Sequence, residues 1–132
     1  MMVILDTCAI IFMALAPERL GKNAEKIIHE SILANGINCS DISLWEIAML
    51  IEKKRLDPGS DYMSFINNFI LATDMTIMPI TPEIASFAAS AAVFEHGDPA
   101  DRIIASTAIC HNMPLITCDE KLMRTEMLHT IW

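Results

Sequence analysis

Short apolar runs alternate with longer amphipathic segments along this chain. The apolar runs are rich in Ile, Val and Leu and are bounded by polar or turn residues, which is typical of buried strands. Pro79 within one of them indicates a strand at the edge of a sheet, because proline cannot donate to a ladder. The predicted strands are 3–5, 37–39, 77–80 and 115–118, with a short terminal strand at 130–132.

The segments between these runs have helical spacing or helix-start signals. The clearest pattern is Leu44, Ile47, Ala48 and Ile51, at positions i, i+3, i+4 and i+7. Strands that alternate with helices predict a three-layer α/β/α sandwich with a central, mostly parallel sheet of four to five strands. The predicted helices cover about 18–34, 44–55, 61–72, 82–97 and 98–112.

Composition and length limit the class of protein. With 132 residues, 53% of them hydrophobic and 20% charged, the chain is expected to form one domain over 1–132. No apolar run reaches the roughly 20 residues that a membrane helix needs. The start, MMVILDTCAI, has no basic leader, so we expect a cytoplasmic protein without membrane contact. The four cysteines lack zinc-site spacing and are expected to be buried free thiols.

Acidic residues follow the predicted strands or open the helices after them. Because the carboxyl ends of parallel strands meet at one edge of a sheet, these acids are expected to converge there. Clustered carboxylates repel one another unless a hard cation such as Mg²⁺ or Mn²⁺ binds them. Such ions activate water for attack on a phosphodiester. The acids are Asp6, Glu46, Asp98, Asp101 and Asp119.

Each acid also has an interpretation as a helix cap. Ser43-Leu-Trp-Glu46 matches a capping box, in which Glu46 would bond only to a backbone N–H group. N-cap and first-turn acids stabilise helices without any role in chemistry. The remaining acids fit such positions: Asp6, Asp98, Asp101 and Asp119.

Four stretches together resemble the PIN-domain family, and within it VapC-like toxins, over essentially the whole length. They are ILDTCAIIF, SDISLWEIAML, GDPADRIIASTA and LITCDEKL. The resemblance implies a PIN-like fold, metal binding at four acids with Asp98 as an auxiliary acid, and hydroxyls that orient ligands or water. The implied ligands and catalytic acids are Asp6, Glu46, Asp101 and Asp119, and the implied orienting residues are Thr7 and Thr117.

The resemblance also implies an activity and partners. It implies a Mg²⁺- or Mn²⁺-dependent endoribonuclease, homodimeric, that a cognate antitoxin inhibits by laying a peptide across a hydrophobic groove and the active site. Arg102 and Lys121 adjoin the implied ligands and are expected to contact the RNA backbone. Lys53-Lys54-Arg55 is a further candidate, or simply a solvated helix end that complements the helix dipole.

Two alternatives remain open at this point. A phosphohydrolase with Asp6 as nucleophile would need a second Asp two residues later, where Cys8 stands. A PIN-like module that binds a partner and has no nuclease activity would agree with the net charge of −8, because nucleic-acid binding usually requires clustered basic residues.

Overall fold

A sheet of five parallel strands is the centre of the computed structural model, which describes residues 1–90, 92–94 and 97–132. The spatial order is β3-β2-β1-β4-β5, so the third strand lies at an edge as predicted, although it ends at Met78 and Pro79 lies just beyond it. Every neighbouring pair is parallel. The strands are β1 (Val3–Leu5), β2 (Ile37–Ser40), β3 (Thr76–Met78), β4 (Leu115–Ile116) and β5 (Thr130–Ile131).

The helices largely follow the predicted segments, with four differences, one of which is a short helix at Glu120–Met123 that was not among the predicted helices. Thr7–Leu15 was not predicted as a helix, because its sequence is apolar almost all round and carries no helical period. The helix predicted from residue 18 begins at Lys22, after a 3₁₀ turn at Pro17–Arg19. The helix predicted over 82–97 ends at Ser90, and residues 92–94 are not helical; 91, 95 and 96 lie outside the described residues. The helices are α1 (Thr7–Leu15), α2 (Lys22–Leu33), α3 (Asp41–Glu52), α4 (Tyr62–Thr73), α5 (Pro82–Ser90), α6 (Pro99–Cys110) and α7 (Glu120–Met123).

Helices cover both faces of the sheet, which confirms the three-layer sandwich. Alternate residues of a strand point to opposite faces. Val3 and Leu5 accordingly pack in a core with residues of α1, α2 and α4. Ile4, between them, packs in a second core with residues of α6 and α7. All three strand residues are fully buried, and burial of each such side chain contributes about 1.5–3 kcal/mol.

The strand register decides which residues meet at the carboxyl edge of the sheet. Leu5 pairs with Cys39 on one side and with Ile116 on the other. The Asp6 N–H group continues this pairing and donates to the Ile116 carbonyl at 3.0 Å. Asp6 and the residue after Ile116 therefore become neighbours at one end of the sheet. None of the helices in the described ranges is long and apolar enough to cross a membrane.

Candidate metal centre

Asp6 lies at the end of β1, and only 5% of it is exposed. Its Oδ1 accepts from the Thr7 N–H group at 2.8 Å, and its Oδ2 accepts from the Thr117 hydroxyl at 2.6 Å and from Cys8 Sγ at 3.6 Å. Burial raises the pKa of Asp6, the hydrogen bond from Thr117 opposes that rise, and the charge of Asp119 adds to it. The hydrogen bonds to Asp6 favour its charged form and so oppose part of the rise in pKa that burial causes.

Glu46 faces the same region from α3. The Thr7 hydroxyl donates to Glu46 Oε1 and lies 3.0 Å from Ser43 Oγ. Burial is the main cause that raises the pKa of Glu46, and the negative charges of Asp6 and Asp98 raise it further. One threonine therefore links the loop after β1 to the carboxylate on α3.

The capping-box interpretation of Glu46 is wrong. The N-cap of α3 is Ser40, whose Oγ accepts from the Ile42 N–H group at 3.3 Å, so Ser43 lies inside the helix. Ser43 is fully buried against Thr7 instead of capping the helix. Glu46 is thus one turn too far along the helix to reach the unpaired amides of its start.

Asp101, at the start of α6, is half-buried and close to the other acids. Burial is the largest cause that raises its pKa, and the negative charges of four other acids raise it further, to about 7. These acids are Asp6, Asp98, Asp119 and Glu46. Four other acids therefore lie close enough to act on this one half-buried group. The structure brings all five sequence-predicted acids to one edge of the sheet.

Asp98 and Asp119 cap helices, as the alternative interpretation predicted, and Asp6 likewise caps α1 through the Thr7 N–H group. Asp98 Oδ1 accepts from the Ala100 and Asp101 N–H groups at 3.0 and 3.3 Å, at the start of α6. Asp119 Oδ1 accepts from the N–H groups of Lys121 and of the next residue at 2.8 and 3.3 Å, at the start of α7. Among the described residues each cap engages Oδ1, so a cap and a cation ligand are compatible through the second oxygen.

The carboxylate oxygens are of the type that binds a hard divalent cation, although the side chains are not arranged in a coordination geometry. Within the described ranges, no three His, Cys, Asp or Glu side chains are arranged to hold one ion directly. Four of the acids instead accept hydrogen bonds from hydroxyls or helix amides: Asp6, Glu46, Asp98 and Asp119. Mg²⁺ usually retains several waters and takes only one or two carboxylates directly, and mutual repulsion among carboxylates is what such an ion relieves. The chemistry of the residues therefore suits a hydrated divalent ion.

The two predicted RNA-contacting residues lie in different environments. Arg102 Nε donates to the Ala88 carbonyl at 2.7 Å, and its Nη2 donates to the Ala89 carbonyl at 3.4 Å. The guanidinium carbon also lies 5.3 Å from the ring centroid of Phe94. Arg102 thus binds the carboxyl end of α5, whereas Lys121 is exposed on α7 beside the acids.

Two thiols near the site were not predicted to have any role. All four cysteines are free, but only Cys39 is buried, so the expectation of buried thiols was wrong for the others. Cys8 Sγ lies 3.4 Å from Cys118 Sγ, and burial is the main cause that raises the pKa of Cys8 well above its usual range. Each of the two directly follows a site threonine, Thr7 or Thr117, and that adjacency was the available signal.

Comparison with known proteins agrees with this architecture. The PIN domain family model matches residues 3–127. Ribonuclease VapC22 of Mycobacterium tuberculosis (strain ATCC 25618 / H37Rv) is 32% identical over 120 residues, which are 91% of this chain and 88% of that protein. Two solved structures, each 18% identical, have the same fold: VapBC2 from Rickettsia felis bound to a promoter DNA fragment (TM-score 0.76; 98% of this chain, 97% of that one) and FitAcB from Neisseria gonorrhoeae (0.64; 98% and 96%). The chain belongs to the PIN domain family.

Proposed function

We propose that this protein is a divalent-metal-dependent endoribonuclease that hydrolyses RNA phosphodiesters and serves as the toxin of a toxin-antitoxin pair. Membership of the PIN domain family and the similarity to Ribonuclease VapC22 support the reaction. The observation that carries the proposal is the grouping of acids around the half-buried Asp101, whose pKa is raised by burial and by the charges of four other acids. These acids are Asp6, Asp98, Asp119 and Glu46. A cation bound at this edge of the sheet would stabilise the folded protein, because it would relieve the repulsion among these carboxylates.

Asp6, Glu46, Asp101 and Asp119 would hold the ion, Mg²⁺ or Mn²⁺, with Asp98 as an auxiliary acid. When bound, a divalent ion supplies Lewis acidity, which lowers the pKa of water and offsets charge developing on the phosphodiester oxygens. All of these ligands are carboxylates, the hard oxygen donors that both ions prefer.

The residues around the acids position them and contact the substrate. The hydroxyls of Thr117 and Thr7 donate to Asp6 and Glu46, and each fixes one carboxylate in orientation. Such supporting hydrogen bonds orient ligands and tune a metal site. Lys121, exposed beside Asp119, would bind an RNA phosphate. Arg102 could bind one only if its hydrogen bond to the Ala88 carbonyl of α5 were broken.

The proposal extends to the assembly of the protein. One solved structure of similar fold is a toxin-antitoxin complex from Klebsiella pneumoniae, with a TM-score of 0.64 at 18% identity. We therefore infer that the chain, one domain over residues 1–132, forms a homodimer in the cytoplasm and binds a cognate antitoxin. Short apolar strands buried on both faces by helices agree with a single folded unit.

Cleavage of RNA by the purified chain tests the proposal. We expect cleavage of a mixed RNA pool with Mg²⁺ or Mn²⁺, none with a chelator, and loss of activity in Asp6→Asn and Asp101→Asn. Glu30→Gln, which changes an exposed acid on α2, should cleave like the wild type. Circular dichroism should show that all variants fold.

Two outcomes would point elsewhere. Equal inactivity of folded wild type and variants toward every RNA tested would favour a PIN-like binding module without nuclease activity. A phosphoryl group covalently attached to Asp6 would favour the phosphohydrolase alternative.

A further inference from the structure

An open groove runs along α3, directly beside the candidate metal centre. Its volume is about 190 Å³, below the roughly 300–1,000 Å³ of pockets that enclose small ligands. A site this small and open suits one flat group laid on it, not an enclosed molecule. The lining residues are Trp45, Glu46, Met49, Leu50, Lys53 and Arg55.

Trp45 forms a wall of this groove and is 56% exposed. Leaving so much indole in water costs free energy, since aromatic side chains bury large areas when they have a partner. Its neighbour in sequence, Glu46, is one of the candidate ligands and lines the same groove. The exposed aromatic surface thus adjoins the acids.

The charges along the groove change sign. Lys53 and Arg55, both exposed, line the groove just after the last residue of α3, whereas Glu46 lies near the middle of that helix. Lys54 stands between the two cations in sequence. The whole chain has nine basic residues and 17 acidic ones, so three consecutive basic residues form an unusual local concentration of positive charge. A polyanion attracted to these cations is guided along α3 toward the acids.

We propose that this groove binds single-stranded RNA, with one base stacked on Trp45 and the flanking phosphates bound by Lys53 and Arg55. This inference rests on the proposed function and names how the substrate reaches the site. Aromatic side chains bind single strands because every base presents a π face, and adjacent cations bind the backbone. From Glu46 to Lys53 the helix rises about 10 Å, a short distance that a strand bound at the cations can span to reach the acids.

Binding without cleavage tests the groove. The probe is a fluorescein-labelled oligouridylate in excess chelator, followed by anisotropy at several salt concentrations. We expect Trp45→Ala to weaken binding about tenfold, the usual size of one stacking contact, and Trp45→Phe to bind nearly as well as the wild type. Lys53→Gln and Arg55→Gln should each lower the slope of log affinity against log salt by about 0.7.

Matched controls separate the groove from general effects. Leu71→Ala removes another large exposed apolar side chain, 82% exposed on α4, and should leave the affinity unchanged. Lys26→Gln removes an exposed cation on α2 and should leave the salt slope unchanged. Indole fluorescence should fall on RNA binding in the wild type and should not fall in Trp45→Phe, since the remaining Trp132 packs beside Phe12.

The results distinguish the groove from the nuclease activity. If Trp45→Ala and Arg55→Gln bind the probe like the wild type, the groove proposal is overturned, even where wild-type RNA cleavage stands. If these variants instead change only the sedimentation of the chain, the groove is a protein interface and the proposal is overturned as well. If the groove variants lose RNA affinity while the wild type cleaves nothing, the groove is supported and the nuclease proposal fails.

Discussion

The Thr117 hydroxyl donates a hydrogen bond of 2.6 Å to Asp6 Oδ2 and so joins two residues 111 positions apart in the chain. The pairing of Leu5 with Ile116 brings Asp6 and Thr117 together, because Asp6 directly follows Leu5 and Thr117 directly follows Ile116. Both side chains are buried, with Thr117 fully so. A buried hydrogen bond to a charged group contributes about 1.5–3 kcal/mol, so this one matters to the fold as well as to the site.

Thr117→Val should destabilise the metal-free protein by about 1.5–3 kcal/mol at about pH 8, since Asp6 loses its hydroxyl donor and the Asp119 N–H group loses its acceptor. The loss should shrink towards about pH 4, because the bond is made to the carboxylate and lowers the pKa of Asp6. Urea unfolding followed by circular dichroism measures it. Thr117→Ser, which keeps the hydroxyl, should lose much less, and equal losses in the two variants would contradict this role.

Thr7→Val should reduce RNA cleavage about 10- to 100-fold, the usual cost of removing a group that orients a metal ligand. The Thr7 hydroxyl is the donor to Glu46, and without it the carboxylate is free to turn away from the other acids. Initial rates at saturating Mn²⁺ measure the effect, and Thr7→Ser should retain most of the activity. Unchanged cleavage by a folded Thr7→Val variant would show that Glu46 needs no such support.

The convergence of the acids could be predicted from sequence because it depends mainly on strand direction. Parallel strands place their carboxyl ends together, so an acid directly after a strand, such as Asp6, reaches that edge in any register. Asp98 and Asp101 open α6, which leads into β4, and a helix that ends at the amino edge of a parallel sheet begins at its carboxyl edge. The side-chain partners of these acids depend on register and rotamer, which the apolar pattern does not contain.

Two local features were not predicted correctly from the sequence, the N-cap of α3 because a tertiary contact decides it, and the helix α1 because its sequence has no period. Ser40 and Ser43 both fit an N-cap, and the contact of Ser43 with Thr7 places it inside the helix, with Ser40 as the cap. The sequence of α1 is apolar almost all round and shows no helical period, so periodicity could not identify this helix.

Arg102→Gln tests whether this arginine supports the fold or binds RNA. Because its guanidinium bonds to the carbonyls of Ala88 and Ala89, we expect a loss of about 1–2 kcal/mol in the free energy of unfolding. The salt slope of RNA binding should stay unchanged, whereas Lys121→Gln should lower it by about 0.7 and leave stability unchanged. A lowered salt slope in Arg102→Gln would support the original expectation of an RNA contact.

The acids also determine how the stability of the metal-free protein varies with pH. Asp101 has a pKa of about 7 in the folded chain against an ordinary value of 3.8, and the pKa values of Asp6 and Glu46 are raised as well. Between these two values the folded state binds more protons than the unfolded state. The free energy of unfolding should therefore fall as the pH rises from about 4 to about 7.

Asp101→Asn should reverse part of this fall. Without a metal we expect the variant to be more stable than the wild type at about pH 8, by on the order of 1 kcal/mol, because solvent screens a half-exposed group. The difference should vanish near pH 4, where the wild-type carboxyl is protonated. Urea unfolding in chelator measures both, with Glu30→Gln as the matched exposed control.

Adding Mn²⁺ should favour the wild type instead, since an ion that binds only the folded state stabilises it. A variant less stable than the wild type at high pH without metal would contradict the repulsion on which the metal centre depends.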